Sequence, residues 1–231
     1  MKTFEVITKQ EFLEEQQKHF DQDQIKQGDF GQTGEGFSGC WMGCASNSLM
    51  RAKGIYIPND SHKGIAKNIY GSESCEWLVR LNEKIFESLT FTQAQQWVLD
   101  SAEAIPEGIL SESINSIQVE IKIWILEGTK KTHKNQEVHK VTDLVISALK
   151  SGNKKDLARA SNDAAAAAHA STAASYEATA AAHAGYATTA GYATTADAAY
   201  VANSAAAAAA KHEFYSELSA FVILKLKGLQ A

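Results

Sequence analysis

Three cysteines, no long run of bulky apolar residues and no surplus of positive charge are the most informative shortages in this 231-residue chain. An odd set, Cys40, Cys44 and Cys75, cannot frame a disulfide-stapled secreted fold, and it fits a reducing, cytoplasmic compartment. The N-terminus, Met1-Lys2-Thr3-Phe4-Glu5-Val6, lacks the continuous apolar stretch of a secretion signal. Nowhere do about 18 uncharged, bulky apolar residues follow one another, so no membrane span is expected. A net charge of −5 and a pI near 5.8 supply no broad positive field for a phosphate backbone, which argues against direct nucleic-acid binding. The one basic run, Lys130-Lys131-Thr132-His133-Lys134, follows Gly128 and reads as a solvated loop.

What is present is mostly helical pattern. Thr8-Lys9-Gln10-Glu11 has the form of a capping box and predicts a helix from there to about Lys26. Five glycines between Gly28 and Gly39 predict a loop or hairpin. Cys40 to Ala52 suits a helix that Gly54 and Ile57-Pro58 end. Trp77, Leu78, Leu81, Ile85 and Leu89 fall on one face of a helix over 75–89. Further helices are expected from Thr92 to Ala104, from Glu112 to Glu127 and from Glu137 to Leu149. The second of these is the one most open to being a strand, since Val119, Ile121, Ile123 and Ile125 also alternate.

The last third is different. From Ala158 to Ala210 nearly every side chain is small, and alanine forms helix best because it forfeits no rotamer entropy. As one rod the segment would be about 80 Å long, more than a core of this size can cover, so Gly185 and Gly191 are the expected breaks of a hairpin. Alanine recurs at every third position from Ala178 to Ala208, which cannot make one straight seam on a helix and instead makes every face small. Such faces suit close helix packing or self-association, with Tyr176, Tyr186, Tyr192 and Tyr200 as anchors; a repeat tolerated as a spacer is the alternative. Beyond Ala210, Phe214, Leu218, Phe221, Val222, Leu224, Leu226 and Leu229 form an apolar helix able to dock on the core. The expected fold is therefore mainly α: a helical core over residues 1–157, then an alanine-rich extension and a docked final helix over 158–231.

Candidate chemistry centres on Gly39-Cys40-Trp41-Met42-Gly43-Cys44. A cysteine opening a helix is stabilised as thiolate by the helix N-terminus, and His62 or His19 could serve as its base. A metal set of Cys40, Cys44, Cys75 and His62 is a further alternative, although its spacing matches no zinc knuckle. The simplest alternative is that both thiols are small buried hydrophobes beside glycines that pack closely. Glu83 and Glu87 share a helix face and could act as paired carboxylates, as could Glu103. No cofactor motif is present, and none is expected.

The order Ile25-Lys26-Gln27-Gly28, Gly39-Cys40-Trp41-Met42-Gly43-Cys44, His62, Trp77-Leu78-Val79-Arg80-Leu81, Ile85-Phe86-Glu87 and Glu103-Ala104-Ile105-Pro106-Glu107-Gly108, followed by an alanine-rich tail, resembles a family of uncharacterised phage and bacterial proteins. The chain departs from that pattern at Ile69–Glu76, where the family has Gly-Ile-Pro before the Trp-Leu helix. The resemblance implies a phage or mobile-element setting. In such a setting small proteins bind and block host components, so the chain is expected to work by contact with a protein partner or with itself. An enzyme or metal–thiolate protein using Cys40, Cys44 and His62 is the alternative.

Overall fold

The structure is a computed structural model that describes residues 1–29, 31, 36–58, 61–132, 136–153, 155–160 and 208–229. Among these the fold is mainly α, with no strand beyond two isolated bridges. No helix among them is long and apolar enough to cross a membrane. The chain divides into two compact units, Met1–Ile117 with Tyr215–Ala231, and Gln118–Phe214. The expected junction at residue 157 falls inside the second unit.

In the first unit, α1 (Lys9–Asp21) opens on the predicted capping box: the Glu11 amide donates to Thr8 Oγ1 at 3.2 Å and the Thr8 amide to Glu11 Oε2 at 3.0 Å. It stops five residues before the predicted end. Asp23 takes a left-handed φ of 52°, and the amides of Asp23 and Gln24 return to the carbonyls of Phe20 and His19, a Schellman stop with aspartate in the place glycine usually holds. α2 (Trp41–Lys53) ends at Gly54, φ 68°, as the sequence suggests. α3 (His62–Tyr70), capped by Ser61, has no counterpart in the sequence reading. Its end, Gly71, packs under the N-terminal segment, where a Cβ would lie 2.2 Å from the Lys2 carbonyl oxygen.

α4 (Glu76–Phe86) buries Trp77, Leu78, Leu81 and Ile85 as predicted. α5 (Phe91–Ala104) is capped by Thr90 with Gln93, not by Thr92 with Gln95; the two signatures are identical in form, and Phe91 stands 52% exposed as the first helical residue. The buried Ala104-Ile105-Pro106 corner is tied to the N-terminus, with Thr3 Oγ1 donating to the Pro106 carbonyl at 2.5 Å and the Thr3 amide to that of Ile109 at 2.8 Å. The single helix expected over 112–127 is two, α6 (Ser111–Ser116) and α7 (Gln118–Thr132).

α7 belongs to the second unit with α8 (Gln136–Ser151), and it is a helix and not a strand. It continues through Gly128, Lys130 and Lys131, so the start of the basic run is helical and not a loop; Lys130 pairs with Asp143 of α8. Cations also suit the last turn, where free carbonyls concentrate negative charge. Leu126, Val145, Ile146, Ala148 and Ala160 make this unit's small core. Trp124 lies against Phe214 with ring centroids 5.6 Å apart, and Gly128 leaves the room, since a Cβ there would be 2.8 Å from the Phe214 ring. α9 (Ala208–Gly228) starts in this unit and finishes in the first, where Tyr215, Leu218, Val222 and Leu226 are fully buried at three- and four-residue spacing. That is the docked final helix. The alanine-rich tract from 161 to 207, with the breaks expected at Gly185 and Gly191, lies outside the described residues.

Candidate functional site

The glycine-rich approach to α2 is built from close backbone contacts. Gly39 pairs with Ile25 in a parallel bridge, its amide donating to the Gln24 carbonyl at 2.8 Å and its carbonyl accepting from Lys26 at 2.9 Å. A Cβ on Gly39 would meet the Phe37 ring at 3.0 Å and the Cα atoms of Gly31 and Gly43 at 3.3 Å. The two glycines of the Gly-Cys-Trp-Met-Gly motif thus let the approach lie flat on the first turn of the helix.

Cys40 is the N-cap of α2, its carbonyl accepting from the Cys44 amide at 2.9 Å and its amide donating to the Asp29 carbonyl at 2.5 Å. The amides of Met42 and Gly43 face Sγ and favour the thiolate, but neither closes a full cap hydrogen bond. Burial is the stronger influence: Cys40 is 2% exposed, and its thiol is pushed up to about 11. Cys44 is fully buried, its Sγ donating to the Gly39 carbonyl at 3.5 Å, and burial pushes its thiol up further. Trp41 between them donates Nε1–H to Ser101 Oγ of α5 at 2.9 Å.

His62 opens α3, and its Nε2 meets Glu83 Oε2 of α4 at 2.7 Å, both side chains half-buried. One turn on, at the C-cap of α4, the Glu87 carboxylate accepts from the Gly28 amide at 3.0 and 3.1 Å, while burial raises its pKa. Both carboxylates act electrostatically on Cys40, and both oppose its ionisation. The structure therefore brings Cys40, Glu83 and Glu87 together, with His62 joined to the group through Glu83. Glu103 is apart, paired at 3.9 Å with Lys9.

Cys75 is apart too. Its Sγ faces the Ser111 carbonyl at 3.8 Å and Asn115 Oδ1 at 3.6 Å, which also accepts from Trp77 Nε1, and burial pushes its thiol up to about 11. Among the described residues no group of three or more His, Cys, Asp or Glu side chains is placed to hold a metal ion. The tyrosines expected as anchors, Tyr176, Tyr186, Tyr192 and Tyr200, lie outside the described residues.

Sequence reasoning missed a polar seam between α1 and α2. His19, offered as a base for Cys40, is instead fully buried there, with Nδ1 2.7 Å from Gln24 Oε1. Further along, Gln16 Nε2 donates to Ser48 Oγ at 3.1 Å, Arg51 Nε reaches Glu15 Oε2 at 3.0 Å and Lys53 Nζ reaches Glu11 Oε1 at 2.8 Å. The only sequence signal was three- and four-residue spacing of polar groups on both helices, which a solvated face produces equally well. No family model, curated protein sequence or solved structure matches the chain.

Proposed function

We propose that the chain works by contact, with a protein partner or with a second copy of itself, as an accessory or host-interference factor of phage type. The state of Cys40 carries this reading. It is the side chain best placed by sequence for covalent chemistry, yet it is buried and its thiol, at about 11, stays protonated at neutral pH. Contact is also what the composition of the alanine-rich tract, small side chains with four tyrosines, is suited to. The phage setting rests on the motif resemblance.

Sedimentation over a wide concentration range, paired with capture from a bacterial lysate, tests the proposal. Both are run on the full chain and on a chain with residues 158–210 excised and the final helix kept. Self-association or stoichiometric partner capture that disappears on excision is the expected result. A full chain that stays monomeric and captures nothing overturns it.

One observation favours a second reading, a thiol enzyme or metal–thiolate protein: the His62–Glu83 pair at 2.7 Å stands beside a cysteine at a helix start. A carboxylate fixes an imidazole's tautomer in just this way in Cys–His sites. Ultraviolet titration of the Cys40 thiolate, together with metal analysis of the purified chain, separates the two. A thiolate that forms below pH 8, or stoichiometric bound metal, would favour the second.

A further inference from the structure

We propose that His19 is a proton-operated latch that keeps Cys40 covered: when the imidazole takes up a proton, the segments on either side of Cys40 release α1 and the thiol becomes reachable. This stands apart from the functional readings above, since it concerns when Cys40 can be reached and not what it does.

Three elements meet on the His19 ring. Its Nδ1 bonds Gln24, just beyond the end of α1. Its face lies against Phe37, centroids 5.0 Å apart and tilted 51°. Its Nε2 is buried with no hydrogen-bond partner, facing the Cys44 carbonyl of α2 but outside bonding geometry. Gln24 and Phe37 also hold Gly39, the residue before Cys40. The Gln24 carbonyl accepts from the Gly39 amide, and Phe37 fills the space against Gly31 and Gly39. Water can reach the His19 ring only if those contacts part, and parting them uncovers Cys40.

The surrounding charges set the direction. Glu15, on the same helix, favours protonation, but it is already shared between Lys18 at 2.5 Å and Arg51 at 3.0 Å. Arg51, from α2, opposes it. Gln24 and Phe37 carry no charge, and the Cys40 and Cys44 thiols are protonated. Burial outweighs the favourable contributions, so the closed state holds the imidazole neutral and its pKa below the ordinary value. In the open, solvated state that value returns to about 6.5. The closed form is thus fully favoured above about pH 6.5, and each unit below it raises the open fraction by up to about tenfold until the closed-state pKa is passed. Gln16 Oε1 and Asn47 Oδ1 are buried without hydrogen-bond partners, which offsets part of what the Gln16–Ser48 bond and the Arg51–Glu15 pair contribute across the seam.

The test uses the full chain and 4,4′-dithiodipyridine, a disulfide probe that reports on thiols at acid pH. Rates are divided at each pH by that of the urea-unfolded chain, and the modified residue is located by peptide mapping. Between pH 7 and 5 the normalised rate at Cys40 should rise, by up to about 25-fold, while Cys44 and Cys75 stay unreacted. His19→Gln should flatten that rise, and Phe37→Ala should raise the rate at every pH. A Cys40 rate that is level or falls with acid overturns the proposal, as does simultaneous reaction of all three thiols, which would mean global unfolding. Should His19→Gln not fold, the pH profile of the native chain and its one-thiol stoichiometry decide alone.

Discussion

Alkylation of Cys40 at pH 7.5 puts the buried-thiol argument at risk most directly. An unperturbed cysteine, with a pKa of about 8.5, is roughly 10% thiolate at this pH. With its pKa at about 11, Cys40 is ionised in about one molecule in three thousand, roughly 300-fold less. A more basic thiolate is also a better nucleophile. With a Brønsted coefficient of about 0.45, the higher basicity returns about 13-fold, leaving a net deficit of about 20-fold before access is considered. At 2% exposure, access lowers the rate further. Iodoacetamide kinetics on the folded chain, compared with the urea-unfolded chain and read at Cys40 by mass spectrometry, should therefore show at least about 20-fold slower reaction. A folded Cys40 that alkylates as fast as the unfolded one would refute both the burial argument and the preference for a non-catalytic function.

Glu87→Gln should lower the Cys40 pKa, because the lost carboxylate raises it, yet leave it above that of a free cysteine, since burial is the larger cause; thiolate absorbance against pH reads this. Gly54→Ala and Gly71→Ala should both cost stability for the left-handed backbone, about 1 kcal/mol each. Gly71→Ala should cost distinctly more, because nothing lies within 4 Å of a Cβ at Gly54 whereas the Lys2 carbonyl blocks one at Gly71; urea midpoints compare the two. Tyr70→Phe removes the hydroxyl that accepts from Asn82 Nδ2 at 2.9 Å in a fully buried site, and should destabilise by about 1–3 kcal/mol in urea. Val145→Ala should loosen the second unit by about 2 kcal/mol, followed through Trp124, the sole tryptophan of that unit.

Helices were legible wherever a local signal had no rival. Thr8 and Glu11, the Gly54 stop and the Trp77-to-Ile85 stripe each act within one or two turns, so the sequence alone specifies them. The misplacements have equally local causes. Asp23 adopts the left-handed stop in a stretch where glycine at 28 is the conspicuous breaker. Thr90 and Thr92 carry the same capping signature two residues apart, and neither can be preferred without knowing what the next residue packs against. α3 is short and has Gly64 in its first turn, which lowers its helix propensity; its Ser61 cap and buried Ile65, Ala66, Ile69 and Tyr70 compensate. The alternation at 119–125 yields to the helical period because Ile121, Ile125 and Leu126 are buried while Val119 is exposed.

The site was legible in composition but not in sign. A cysteine after glycine at a helix start reads as an activated thiol, because the helix amides favour its anion. That inference holds when the remaining surroundings are wet or positive. Here Glu83 of α4 and Glu87 at its C-cap are more than forty residues away in sequence, and a local motif carries no information about them. With the thiol buried and two carboxylates adding to the effect, the amides of Met42 and Gly43 reduce a large upward shift without reversing it. Glu83 also gives His62 its partner, so the carboxylate that looks catalytic from the imidazole is, from the thiol, a small addition to the burial that keeps Cys40 neutral. Activating Cys40 would require above all exposing the thiol, since burial is the largest cause of its raised pKa and Glu83 and Glu87 the smallest, and exposure is what the proposed His19 latch would supply.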